Sequence, residues 1–492
     1  MVRAEETQES CRTKTRNFLT IFSLGFSLLT LAMGVNCSSI QSHYAHVEKA
    51  LAQGDLRAAD ALVEKHKDEY GKKNQVLYAM DRGMLLHLSG QYQESTIFFE
   101  DAERMISDLY TRRIGSESAA LLINENVLPY EGASFEKVLI HVIMALNYAY
   151  QGLFDDALVE ARKIDHTLNV LSDQSTDTYS YTQDAFARYL TGLLFEFRGE
   201  LDDAFIAYRL AYEAFQLHRD VYGTSIPFFL GEDLLRLSVA LNRDEEFKKY
   251  QQDFPNAKWQ SVSERQELGE LVVISFHGRA PKKTGKFIDV PFSMQALRMV
   301  LAARDLKSSK NGRLAQNILH GLTGNVFSVV LPNLEPQLSE VEYAEISLID
   351  GGGKTKIVRT VLMEDVTEIS KRHLQDRLAK ESSRAVARAA MKFALTKAVE
   401  REVTQVTGSK ALQQLGVFVA TLSSSISDQV DTRSWRTLPD EIQVARVRVQ
   451  PGMYELHIRH VGKSGKVLDA EAFSFVEIAR GELKILSHRT VL

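Results

Sequence analysis

The chain has 492 residues, 45% hydrophobic and 25% charged, which describes folded structure too large for one core and excludes disorder. Its 59 basic and 64 acidic residues leave a formal charge of −5, so no global basic field marks a nucleic-acid binder. Nine prolines and 28 glycines exclude collagen-like and low-complexity classes, and two domains are expected.

Arg12, Lys14 and Arg16 precede an apolar run from Phe18 to Val35 that is broken by Thr20, Ser23, Ser27 and Thr30. A basic start followed by such a run has the layout of a secretory signal over residues 1–36. Read instead as an uncleaved segment, it is an inner-membrane anchor at the short end of the ~20 residues that a bilayer requires. The two cysteines, Cys11 and Cys37, flank the run, so a mature chain beginning at 37 has no internal disulfide. The stretch Leu31, Ala32, Met33, Gly34, Val35, Asn36, Cys37, Ser38, Ser39 resembles the lipobox of bacterial lipoproteins, with Asn36 and Gly34 departing from the usual small residue and leucine. The resemblance implies acylation of Cys37 and, with Ser38 next, the periplasmic side of the outer membrane.

From 37 to 258 the pattern predicts paired helices. Gly83 is followed at offsets of 7, 9, 12, 16 and 19 by Gly90, Tyr92, Ser95, Phe99 and Ala102. Gly192, Gly199, Leu201, Ala204, Tyr208 and Ala211 repeat the spacing, as do Ala145, Gly152, Phe154, Ala157, Ala161 and Ile164. A fourth window lies around Gly54, Leu56, Ala59 and Val63, and a partial fifth ends at Phe247 and Tyr250. Small residues where helices cross, a left-handed glycine between them and large residues in the layer explain such spacing. It resembles the tetratricopeptide repeat, which implies a helical solenoid that recognises proteins on its concave face. Gaps of 36, 62 and 47 residues between equivalent positions, against about 34 in that repeat, place insertions around 112–134 and 172–182.

The run Leu128, Pro129, Tyr130, Glu131, Gly132, Phe135, Glu136, Lys137 to Ala145, Leu146, Asn147 and Tyr148, with Pro227 to Asp233, is similar to an uncharacterised bacterial family of tetratricopeptide-repeat-containing lipoproteins. The resemblance spans nearly the whole chain. It implies a cell-envelope location with other envelope proteins, including lipoproteins, as partners, and it carries no activity.

Residues 259–492 read as β-rich. Strands are expected at Glu270–Phe276, Phe287–Phe292 and Val326–Leu331, then as a hairpin around Gly351, Gly352 and Gly353, and again through the last fifty residues. Their spacing suggests an antiparallel sandwich, giving an α+β chain. A helical insertion is expected over 366–428, since Val366 to Thr407 contains no proline or glycine. On it Lys380, Arg384, Arg388 and Lys392 fall at i+4 steps, a stripe suited to an anionic lipid surface or to plain solvation.

The chemistry-bearing motifs fail on context. Gly351 to Thr355 lacks the earlier glycine and following helix of a phosphate loop, and no zinc-helix or nucleophile-elbow pattern occurs. Neither cofactor nor metal is expected. Glu94, Asp155, Asp156 and Glu160 follow repeat turns, where acids favour helix starts. Small-residue placement puts Met80, Met84, His87, Tyr150, Tyr189, Glu196 and Phe197 on the concave face as a partner groove for an apolar helix or strand. The reading is a non-catalytic scaffold or adaptor; the alternative is a glycan-binding or hydrolytic envelope protein with its site in the β-rich part.

Overall fold

The computed structural model describes residues 39–113, 128–174, 181, 183–291, 326–378, 381–382, 385–386 and 430–492. They form a mixed helix-and-sheet protein with two compact units, one ending at Gly71 and the other running from Lys72 to Leu492. The division expected at 258 is therefore not a break in packing, because the helices before it and the strands after it belong to one unit. Cys37 lies outside the described residues, as do Lys380, Arg384, Arg388 and Lys392.

In the first unit, α1 (Ser39–Ala52) and α2 (Leu56–Lys65) are joined through Gly54 at φ 71°, and a single turn, α3 (Lys67–Tyr70), follows. Asp55 caps α2 by accepting the Ala58 amide at 2.9 Å, and Tyr44, Val47, Leu51, Val63 and Tyr70 are buried.

The second unit opens with four helix pairs: α4 (Gln75–Leu88) with α5 (Tyr92–Arg113), α6 (Ser134–Tyr150) with α7 (Phe154–Gln174), α8 (Ala185–Phe197) with α9 (Leu201–Tyr222), and α10 (Phe228–Ala240) with α11 (Asp244–Asp253). Their turns share one construction. Gly90, Gly152 and Gly199 have φ of 77°, 74° and 80°, and Asn242 takes the same left-handed region at 54°. The next residue in each turn donates its amide back to a helix-end carbonyl, Gln91 to Leu86, Leu153 to Tyr148, Glu200 to Phe195 and Arg243 to Ser238, which satisfies an otherwise orphaned acceptor. The offset of 16 is a contact between the two helices. A Cβ on Gly83 would sit 2.8 Å from the Phe99 ring, and one on Gly192 would sit 2.5 Å from Tyr208. Ala145 and Ala161, both fully buried, occupy those places in the pair between.

The short α12 (Val262–Gln266), begun by a Ser261–Glu264 capping box, leads into the strands. These are β1 (Gly269–His277), β2 (Lys282–Pro291), β3 (Val326–Glu335), β4 (Val341–Asp350), β5 (Thr355–Arg359), β6 (Val361–Asp365), β7 (Glu441–Val449), β8 (Gly452–Gly462), β9 (Val467–Ile478) and β10 (Leu483–Thr490). Helix α13 (366–378) follows β6. One sheet has the order β10-β1-β7-β6, another β5-β4-β8-β9, and β2 and β3 pair separately. Pairing was expected to be antiparallel throughout, yet β1 and β10 run parallel, with Glu270 opposite Leu483 and His277 opposite Thr490. Parallel neighbours need a long connection, and every other strand lies between these two in sequence.

Strand β1 is buried along its whole length, and its two faces have different roles. Leu271 and Val273 join Ala344, Ile346, Leu348, Leu456 and Ile458 in a core shared by the two four-stranded sheets. The alternate residues face the helix pairs, where the Phe276 ring lies 5.9 Å from His87 of α4. The three glycines form the β4–β5 turn, with Gly353 at φ 81° and the Asp350 carboxylate accepting the Gly352 and Lys354 amides at 2.9 Å each.

Because the Tyr208 ring occupies the space of a Gly192 side chain, Gly192→Ala is expected to destabilise by about 1–3 kcal/mol, the usual cost of overpacking, although alanine is the better helix former. Urea unfolding of the full chain measures this; an unchanged or raised midpoint would mean that the crossing tolerates a methyl group.

Candidate functional site

The inner helices α4, α6, α8 and α10 carry the residues expected to line an open groove. That expectation is corrected by their burial. Met80, Met84, His87 and Tyr189 are buried, the Glu196 carboxylate is nearly so, and Tyr150 and Phe197 are half-buried. The β10-β1-β7-β6 sheet packs against these helices, so the chain fills its own inner face. An apolar face of this extent is driven from water, and a tethered sheet reaches it at high effective concentration.

The contacts are side-chain specific. His87 Nδ1 pairs with Asn147 Oδ1 at 2.6 Å, the Asn147 amide donates to Ser95 Oγ at 2.9 Å, and Ser95 donates to the Gly83 carbonyl at 2.7 Å. This buried relay accounts for serine where the other units have alanine. Burial lowers His87 to about 4, so it is neutral at physiological pH. Tyr150 packs on Tyr92 and His87 at ring separations of 4.9 and 5.7 Å, and Phe197 packs on Phe154 at 4.4 Å.

At the α8–α10 end the interface is ionic. From β7, Arg446 reaches Asp233 of α10 at 2.5 Å and Glu270 of β1 at 2.7 Å, and it donates to the Tyr189 hydroxyl. Arg236 binds Glu196 and Asp233 at 2.6 Å each, and Arg265 of α12 binds Glu196 at 2.6 Å and also Glu270. Arg448 stands 3.7 Å from Glu232. Burial alone would raise the Asp233 and Glu270 carboxyls, but the arginines, Arg446 foremost, hold both below their ordinary values. The sequence reading missed these residues. The available signal was arginine at alternate positions, Arg446 and Arg448, in a strand half, Val444 to Val449, otherwise made of Val and Ala.

A second polar tie joins α8 to β6. Asp184 caps α8 by accepting the Ala187 amide at 2.7 Å, and the Tyr181 hydroxyl lies 2.6 Å from Asp184 and 3.0 Å from Glu364. Asp184 and Glu364 are fully buried, and burial followed by the Asp184 charge raises the Glu364 carboxyl well above its ordinary range. The folded state therefore keeps a proton here.

Two other clusters have catalytic or ligating residue types without the matching arrangement. Glu103, His141 and Glu160 bring ligand atoms within 4.8 Å of one another, but the Lys163 ammonium lies 3.0 and 3.1 Å from the two carboxylates and supplies the positive charge. Glu160 thus ties helices together, beyond the helix-start role expected of it. Ser275 and His277 pair at 2.6 Å, yet both are fully buried and His277 Nδ1 has no hydrogen-bond partner, so no acid orients the ring as a general base requires.

No family model matches the sequence, and no curated protein matches it. Among solved structures, the chain is similar to MamA from Desulfovibrio magneticus RS-1 at 15% identity and a TM-score of 0.26, over 46% of this chain and 93% of that one. It is also similar to the apo form of RapI, at 11% and 0.31 over 46% and 56%, and to BtubC from P. vanneervenii, at 13% and 0.31 over 45% and 80%.

Removing one partner from a buried ion cluster strands the others. Arg446→Ala is therefore expected to cost about 3–5 kcal/mol in urea unfolding of the full chain; a loss within the ~1 kcal/mol of a surface pair would show that water reaches the cluster. The carboxyl pair acts in the opposite pH direction from ordinary acid ties. The folded chain holds the Glu364 proton and the unfolded chain releases it above about 4.5, so this site's contribution falls as pH rises from there. Glu364→Gln is expected to flatten the decline of melting temperature between pH 5 and 8, about the range over which the unfolded carboxyl is ionised; an equally steep decline in the variant would place the titration elsewhere.

Proposed function

We propose that the chain is a non-catalytic scaffold or adaptor of the cell envelope, held to the membrane as a lipoprotein through Cys37 and recognising protein partners with its helix pairs. In this reading the pairs are tetratricopeptide-like repeats in a solenoid, and the two four-stranded sheets form a sandwich docked on its inner face. The similarity to the repeat-bearing lipoprotein family belongs to the same proposal, as does location on the periplasmic side of the outer membrane.

The observation that carries partner recognition is a repeated exposed residue on the second helix of three pairs. Ile97, Val159 and Ile206 are 58%, 48% and 42% exposed. Each stands 14 residues after the small crossing residue of its unit, Gly83, Ala145 or Gly192. Neighbouring pairs are tied by Lys163 to Glu103 and by Arg162 to Glu200 at 3.0 and 3.2 Å, which sets these positions in a fixed relation. With the inner face filled, partner contact is assigned to this outer surface, where apolar residues in repeated places supply buried area and the surrounding charges a polar rim.

The test is affinity capture from solubilised envelope with the full-length wild type and with Ile97→Lys, Val159→Lys and Ile206→Lys combined. The triple variant is expected to keep its melting temperature and to bind the wild-type partner at least about tenfold more weakly, the scale for loss of interface anchors. Undiminished partner binding by a folded triple variant overturns the assignment. Membrane attachment is tested separately by mass spectrometry and fractionation of Cys37→Ser, which is expected to lack the acyl mass and to leave the membrane.

A further inference from the structure

A cavity of about 170 Å³ lies where the loop before α6, the β1–β2 corner, α13 and the segment before β7 converge. Phe135, Pro281, Leu374, Trp435 and Leu438 form its apolar wall. A cavity of ~150 Å³ with such a lining accommodates benzene, so the space here suits one six-membered ring with a small substituent.

The charged groups of the wall are matched with partners already in place. Asp431 is bound by Arg433 at 2.8 and 2.7 Å. Burial would raise its carboxyl, but Arg433 and Lys283 hold it below its ordinary value, so the lysine charge is matched here too. Arg377 pairs with Glu381 at 3.2 Å. Glu136 accepts from the Tyr130 hydroxyl at 2.6 Å, the Ala133 amide at 2.7 Å and the Trp435 amide at 2.9 Å, and Glu131 is partnered as well. A charged ligand of either sign would leave water and meet no unmatched counter-charge. The uncommitted polar groups are neutral. Burial first, then the charges of Arg377, Lys283 and Lys137, lowers the lining His373 to about 3. Its imidazole is therefore uncharged at neutral pH and offers one donor and one acceptor. Among the described residues neither nitrogen has a hydrogen-bond partner, and the ring stands edge-on to Phe135 at 6.0 Å. Ser434 also lines the cavity, and its Oγ is buried without a hydrogen-bond partner.

We propose that the cavity binds a small neutral aromatic molecule with one hydroxyl group, its ring among Phe135, Leu374 and Trp435 and its hydroxyl paired with His373. Aromatic walls favour a ring through edge and offset contacts as well as through buried area. A hydroxyl both donates and accepts, so it can satisfy a neutral imidazole or the Ser434 hydroxyl. Leaving such groups unmet inside a protein is costly, which favours a ring with a hydroxyl over a plain hydrocarbon.

Trp435 is one of two tryptophans in the chain, so its fluorescence reports occupancy in the full-length protein carrying Trp259→Phe. The probes are phenol, toluene, benzoate, benzylammonium and N-acetyl-tyrosinamide. A saturable response to phenol is expected at neutral pH, with toluene about fivefold weaker, the scale of one hydrogen bond. Benzoate and benzylammonium should each bind at least about tenfold more weakly than phenol, because neither charge finds a partner. His373→Phe should abolish the preference for phenol over toluene, and His373→Gln, which keeps a donor and an acceptor, should retain it. Melting curves establish that both variants are folded, and the comparison of probes on the unsubstituted site decides the ligand class without them. No saturable response to phenol, binding of toluene or of either ion as tight as that of phenol, or an undiminished preference in folded His373→Phe overturns the proposal. Tighter binding of N-acetyl-tyrosinamide than of phenol also overturns it, by assigning the site to a side chain of a partner protein.

Discussion

The structure depends on a set of charges sealed between the inner helices and the first sheet. Arg236, Arg265, Arg446 and Arg448 meet Glu196, Glu232, Asp233 and Glu270 there. Bringing such groups out of water costs several kcal/mol per ion, so the cluster adds less to net stability than its short contacts suggest. Its larger effect is on specificity. Arg446 and Arg448 reach the helices only while β7 keeps its present register against β1. A slip of one residue would turn both guanidinium groups into the apolar core between the sheets. Hydrophobic burial supplies the drive to cover the inner face, and the ions determine which arrangement covers it.

That arrangement changes what the helix pairs can recognise. The apolar and aromatic residues of α4, α6 and α8 have the composition of a binding surface, and they do bind, but their ligand is a sheet of the same chain. Intramolecular occupation removes the translational cost that an external partner would have to overcome. A competitor for this face would also have to separate the arginines from their acids. In the adaptor reading proposed above, recognition of other proteins falls to the second helices, where the exposed β-branched residues Ile97, Val159 and Ile206 recur.

How much of this was legible in the sequence follows from the range of each interaction. The helix pairs were legible because their determinants are local: the glycine at offset 7 takes a left-handed turn, and the small residue at offset 0 receives the ring at offset 16. The strands were legible from alternation and turn residues, and the triple glycine from the β-branched residues that follow it. The parallel β1–β10 pairing was not, since nothing local records which distant strand becomes a neighbour. The inner-face residues were assigned to the correct helices, but Tyr189 buried against Arg446 and Tyr189 exposed to a partner have the same helical pattern. Asp233 and Glu270 illustrate the same limit, as each acid is explained only by arginines far away in the chain.

The cavity of about 170 Å³ lined by Phe135, Trp435 and Leu438 is a consequence of the same docking. Its walls come from elements that meet only because the sheet sits on the helices: the loop before α6 from the helical side, and the β1–β2 corner and the segment before β7 from the sheet side. Glu136, in the first turn of α6, links the two sides, accepting from Tyr130 in the loop before its helix and from the Trp435 amide on the other side. Those hydrogen bonds tie the two walls together across the space, so a void lies beside a close-packed interior.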